Sequence, residues 1–140
     1  MVVKGVNFRS AAFAGLIAGY MMCFVDFWFK GVFGLFGGPM GSFVGTGELA
    51  GMTIPHFIDS LFFAVIYAAV FYHVIKGPRW VKGAAFGVIL WLFVGILATV
   101  AGALGGEVFK MMPMGGKALA TALSLHLVYG LILGAFYTAE

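Results

Sequence analysis

Hydrophobic residues run along this chain in four long stretches with almost no polar alternation, and the charged residues collect in the breaks between them. An α-helix rises about 1.5 Å per residue, so about 20 residues cross an apolar layer about 30 Å thick. Ser10 to Phe29, Pro55 to Ile75, Gly83 to Leu104 and Lys117 to Tyr137 each have that length. They predict four spanning helices. The breaks carry the chemistry of helix ends: Lys76-Gly77-Pro78 closes the second stretch, Gly105-Gly106 the third, and Gly115-Gly116 opens the fourth. Thr53 is placed to cap the second helix, with Pro55 harmless in its first turn. The expected fold is an all-α integral membrane four-helix bundle, one domain over residues 1–140.

One stretch does not fit a helix of that kind. Gly31 to Met52 holds eight glycines among apolar residues, too broken for a span and too apolar for a solvated loop. It is expected along the outer membrane surface or dipping into the bundle, where protein must shield its backbone from lipid.

Small residues recur at a four-residue step inside the predicted helices. Gly15 and Gly19, Gly83 and Gly87, and Gly130 and Gly134 are GxxxG pairs, and Ser60, Ala64 and Ala68 repeat the step in the second helix. Lipid supplies no hydrophobic force between helices, so close backbone approach must hold them together. These stripes predict the packing faces, within one chain or against a partner.

Composition agrees with a life in lipid. Charged residues are 9% of the chain against 63% hydrophobic, where soluble proteins carry about 25% charged. The net charge of +3 does not signal nucleic acid, because no basic run is interleaved with aromatics and the basic residues stand at helix ends. Lys4, Arg9, Lys76, Arg79 and Lys82 fall on one side, and Lys30, Lys110 and Lys117 on the other. The positive-inside rule then places both termini in the cytoplasm. Trp28, Trp80 and Tyr137 stand near span ends, as interfacial aromatics do. The first stretch resembles a signal peptide but runs past the usual apolar core with no small-x-small site after it, and is expected to be a retained helix.

Few groups offer chemistry. Cys23 is the single cysteine, so no internal disulfide, CxxC metal site or haem-attachment motif exists. No HExxH, Walker or dinucleotide fingerprint occurs either, and no enzyme activity or metal centre is expected. The ionisable residues in or beside the spans are Asp26, His56, Asp59, His73 and His126. Such residues are costly in a bilayer and suggest function. Counted along the helix, Asp26 lies about 6 Å below the outer boundary and His126 about 13 Å deep. His56 and Asp59 share a helix face. An outer cluster of Asp26, His56 and Asp59, with His126 beneath it, is expected. The same groups have a structural reading, Asp26 pairing with Lys30 and His126 bridging two helices through a ring N–H.

Two segments carry a likeness. Lys82-Gly83-Ala84-Ala85-Phe86-Gly87 with Trp91, and His126-x-x-Tyr129-Gly130-x-x-x-Gly134, resemble a family of small bacterial four-helix inner-membrane proteins. The Gly-rich opening of the first span and Tyr67 in Ala64-Val65-Ile66-Tyr67-Ala68 are similar too. The resemblance implies a multi-pass protein of the bacterial plasma membrane, and no particular activity.

The leading expectation is a non-catalytic membrane protein that works by packing against other helices, as a small accessory subunit of a larger, respiratory or electron-transferring complex. The six GxxxG glycines would be its contacts. The alternative is a homo-oligomeric channel or small transporter in which Asp26, Asp59 and His126 relay protons or bind a cation. A third reading places haem between subunits, held by His126 or His56.

Overall fold

The computed structural model describes residues 5–28, 48–106 and 115–140. Helix α1 is Phe8–Trp28, α2 begins as Glu48–Ile66, α3 is Arg79–Ala103 and α4 is Gly116–Phe136. Helix α2 does not stop at Ile66: it passes through a π-helical turn, Tyr67–Phe71, and ends in one more α turn, Tyr72–Val74. All four helices contain a stretch long and apolar enough to cross a membrane. Among the described residues there are no strands.

Local chemistry sets the ends. Asn7 caps α1, its Oδ1 accepting the Ser10 N–H at 2.9 Å. Gly77, at φ +116°, turns the chain between α2 and α3, and Pro78 stands at the N-cap of α3. Three helices start and finish within a few residues of their apolar stretches. Helix α2 differs. It starts at Glu48, although the apolar stretch itself spans His56–Val74. Pro55 therefore lies inside the helix rather than in its first turn, where it removes one ladder hydrogen bond. Of the Gly-rich segment 31–52, only residues from Glu48 onward are described, and they are helical.

The helices run up, down, up, down. Helix α1 packs on both α2 and α4, and α4 packs on α3. Helix α2 meets α3 chiefly through its π turn and last α turn. A contact one turn higher joins the Phe63 and Phe93 rings, 6.5 Å apart. The start of α1, the α2–α3 turn and the C-terminus gather at one end, here the terminal end. There Thr138 N–H donates to Ser10 Oγ at 2.8 Å, and Gly5 lies against the His73 ring.

Two seams of small residues hold the bundle. Where α3 crosses α4, a Cβ on Gly83 would stand 2.7 Å from Gly134 Cα, and one on Gly130 2.9 Å from Gly87 Cα. Both contacts are backbone to backbone, which only glycine permits. Where α1 crosses α2, a Cβ on Gly15 would lie 2.5 Å from Ala64 Cβ, and one on Gly19 2.8 Å from Ser60 Cβ. These glycines, with Ser60 and Ala64, face the chain's own helices. Ala68 is also buried, beside Tyr67 in the core. The outer faces are apolar: Phe13, Tyr20, Ile58, Phe62, Phe93 and Ile96 are all exposed.

Candidate functional site

Two groupings of polar side chains stand out inside this apolar bundle, one towards the end away from the termini and one at the terminal end.

The first is built by α2 and α4. Tyr129 on α4 is 2% exposed, and its Oη donates to the Ser60 carbonyl on α2 at 2.6 Å. Ser60 in turn donates its hydroxyl to the His56 carbonyl at 2.6 Å, one turn back along α2. One turn before Tyr129, His126 bonds through Nδ1 to the Ala122 carbonyl at 2.7 Å. A carbonyl only accepts, so Nδ1 carries the proton and the neutral ring keeps a basic lone pair on Nε2. The His56 and His126 rings lie close enough for their charges to interact, as do Asp59 and Tyr129. Asp59 itself is exposed. It sits one turn from Phe63 on the same face of α2, hence beside the gap that opens between α2 and α3.

Asp26 belongs to the same end but lies further out. It is 1% exposed, on the buried face of α1 that also carries Ala18 and Met22. Seven residues beyond Gly19, it stands about 10 Å outward of the Gly19–Ser60 contact, about a turn past His56. Its carboxyl acts electrostatically on Cys23, one turn back on the same helix. Of the expected cluster, His56, Asp59 and His126 lie on α2 and α4 around the Tyr129–Ser60 bond, and Asp26 lies about a turn further out on α1. The expected pairing of Asp26 with Lys30 falls on a residue outside those described.

The bridge between helices is made by a different residue from the one expected. His126 satisfies its own helix, and the α3 contact at that point is to its backbone carbonyl, against which Gly87 packs. Tyr129 makes the inter-helix bond instead. The sequence placed Tyr129 between His126 and Gly130 but offered no way to see that α2 would present a carbonyl to it.

The second grouping was not foreseen. Tyr67, Tyr72 and Tyr137 meet edge to face, with ring centroids 6.0 Å apart for Tyr67 and Tyr72, 5.8 Å for Tyr67 and Tyr137, and 4.9 Å for Tyr72 and Tyr137. Phe86 of α3 lies 5.2 Å from the Tyr67 ring and 5.0 Å from Phe71. Tyr137 was expected at an interface; it is fully buried, and its hydroxyl oxygen accepts the Asn7 N–H at 3.4 Å. Lys82 ties down the end of α2. Its Nζ donates to the Tyr72 carbonyl at 2.7 Å and lies 4.2 Å from the centroid of the Tyr72 ring. A cation at a helix C-terminus is favourable on both counts. Tyr67 is the exception in this layer. Its hydroxyl is buried and has no hydrogen-bond partner among the described residues, a situation that costs about 1–3 kcal/mol.

Among the described residues no three His, Cys, Asp or Glu side chains gather as metal ligands would. The fold and these sites define a class: an all-α chain of four membrane-length helices with a small polar centre and an aromatic layer. No protein-family model, curated protein or solved structure matches the chain.

Proposed function

We propose that this chain is a four-span protein of the bacterial plasma membrane that moves protons through a polar centre between α2 and α4. The observation that carries the reading is the buried hydrogen bond from Tyr129 of α4 to the Ser60 carbonyl of α2, with His56, His126 and Asp59 within electrostatic reach around it. Burying such groups in lipid is expensive, and a purely structural bundle is served by its glycine seams alone. Imidazole exchanges protons near neutral pH, and His126 has a basic nitrogen while its other nitrogen is anchored. Asp59, at the edge of the centre and exposed, is the point of entry.

The same reading sets the orientation. The start of α1 and the C-terminus share an end with Arg9, Lys76, Arg79 and Lys82, whereas Lys117 is at the other. Basic residues concentrate on the cytoplasmic side, so the terminal end is cytoplasmic and the polar centre lies in the outer half. An accessory-subunit role would need a contact surface other than the six GxxxG glycines, because those face helices of the same chain.

The test is proton flux into vesicles that contain the purified chain. Asp59→Asn and His126→Ala should each lower the rate at least tenfold while the protein still elutes as a folded species. Wild-type rates in both variants would remove the polar centre from the pathway.

A further inference from the structure

The Tyr67 hydroxyl, without a partner among the described residues, the π turn that begins at the same residue and the layer of rings around it are three features in one place. If the layer were packing alone, phenylalanine would fill the position of Tyr67 without stranding a hydroxyl. A π turn is likewise not needed to close a core, and such turns are frequent at functional sites.

The layer also has the right position. It draws on every helix: Tyr67, Phe71 and Tyr72 from α2, Phe86 from α3, Tyr137 from the end of α4, and the Asn7 N–H from the start of α1. Tyr67 lies seven residues from Ser60, so about 10 Å separates the layer from the polar centre along α2. Ala64, Leu133 and Ala68, all fully buried, belong to the same core. They offer a proton no hydrogen-bonding group. On the far side of the layer, Tyr67 is within electrostatic reach of Arg79, at the terminal end.

We propose that Tyr67 is the cytoplasmic gate of the pathway described above: its ring, locked among Tyr72, Tyr137 and Phe86, keeps water from the polar centre, and the π turn is the element that rewinds to admit it. Rewinding to an α turn removes one residue's worth of excess, so α2 from Tyr67 to its end rotates by about 100° relative to the part of the helix before it. That swings Tyr67 out of the layer and gives its hydroxyl water to bond. The chain as described is in the closed state. The proposal rests on the proton reading for what passes, but not for whether the layer is a barrier.

The experiment reads barrier and flux separately. In a Cys23→Ala background, Leu133→Cys puts a thiol behind the layer, and a charged, membrane-impermeant methanethiosulfonate is added from the cytoplasmic side of vesicles. With Tyr67 present, labelling should be at least tenfold slower than in Tyr67→Ala; Tyr67→Phe, which keeps the ring, should stay slow. Deletion of Ala69, which removes the π turn's extra residue, should also label fast and serves if Tyr67→Ala does not fold. Proton flux measured on the same vesicles should rise at least tenfold in Tyr67→Ala, and fall back when His126→Ala is added. Equal labelling with and without the Tyr67 ring overturns the gate, and leaves the proton reading standing if wild-type flux persists. Labelling that opens as expected while no variant passes protons supports the barrier and removes the proton reading.

Discussion

Gly83→Ala is the sharpest structural perturbation, because the added methyl meets backbone rather than side chain. Its Cβ would stand 2.7 Å from Gly134 Cα and 2.8 Å from Gly134 N, and closer still to the Gly130 carbonyl oxygen. Real Cβ contacts below 3.4 Å are uncommon, so α3 and α4 must separate by at least the shortfall of about 0.7 Å. A gap of about 0.5–1 Å forfeits a quarter to a half of each van der Waals contact across it. The seam affected includes Gly87, Gly130 and Gly134, and the neighbouring Phe86, Leu133 and Tyr129, all buried. Overpacking of this kind costs about 1–3 kcal/mol, and the upper end applies where no flexible side chain can yield. Gly95→Ala, on the same helix, is the control: nothing lies within 4 Å of its Cβ. Unfolding in mixed micelles, followed by helix ellipticity, should show Gly83→Ala destabilised by about 2–3 kcal/mol and Gly95→Ala within about 0.5 kcal/mol of wild type. Equal stability of the two variants would refute the crossing.

Three further substitutions probe single contacts by the same unfolding assay. Tyr129→Phe loses the buried bond to the Ser60 carbonyl and should cost about 1 kcal/mol, while the Ser60 carbonyl keeps access to its own helix ladder. Asn7→Ala removes the N-cap of α1 and should cost about 1 kcal/mol. Lys82→Met keeps most of the apolar stem but loses the Tyr72 carbonyl and ring, and should cost about 1 kcal/mol, with faster amide exchange at Val74 and Ile75.

The number of helices and their approximate ends were legible because twenty apolar residues in a row admit few other structures. The four-residue step of the small residues was legible too, and Gly83, Gly87, Gly130 and Gly134 do stand at one crossing. Periodicity gives a face, however, and not the face it meets: that α1 would pair with α2 and α4, while α2 and α3 stay largely apart, depends on all four helices at once. The start of α2 was misjudged for a related reason. Hydropathy marks where lipid begins, whereas Glu48-Leu49-Ala50 continue the helix beyond it and Pro55 costs only one hydrogen bond inside. Nothing in Tyr-Ala-Ala-Val-Phe announces a π turn, because each residue is compatible with an α-helix. Tyr137 was placed at an interface by its position near a span end. Its ring is covered by Tyr67 and Tyr72 of α2 and its hydroxyl meets Asn7, 130 residues away in sequence, contacts that no local pattern encodes.

The most direct test of the account is proton uptake by vesicles holding the wild-type chain alone, driven by a potassium diffusion potential and read with a trapped pH dye. The account predicts uptake that scales with the amount of protein, well above empty vesicles and vesicles holding His126→Ala. Uptake no faster than in empty vesicles, from protein shown to be folded and inserted, would contradict it.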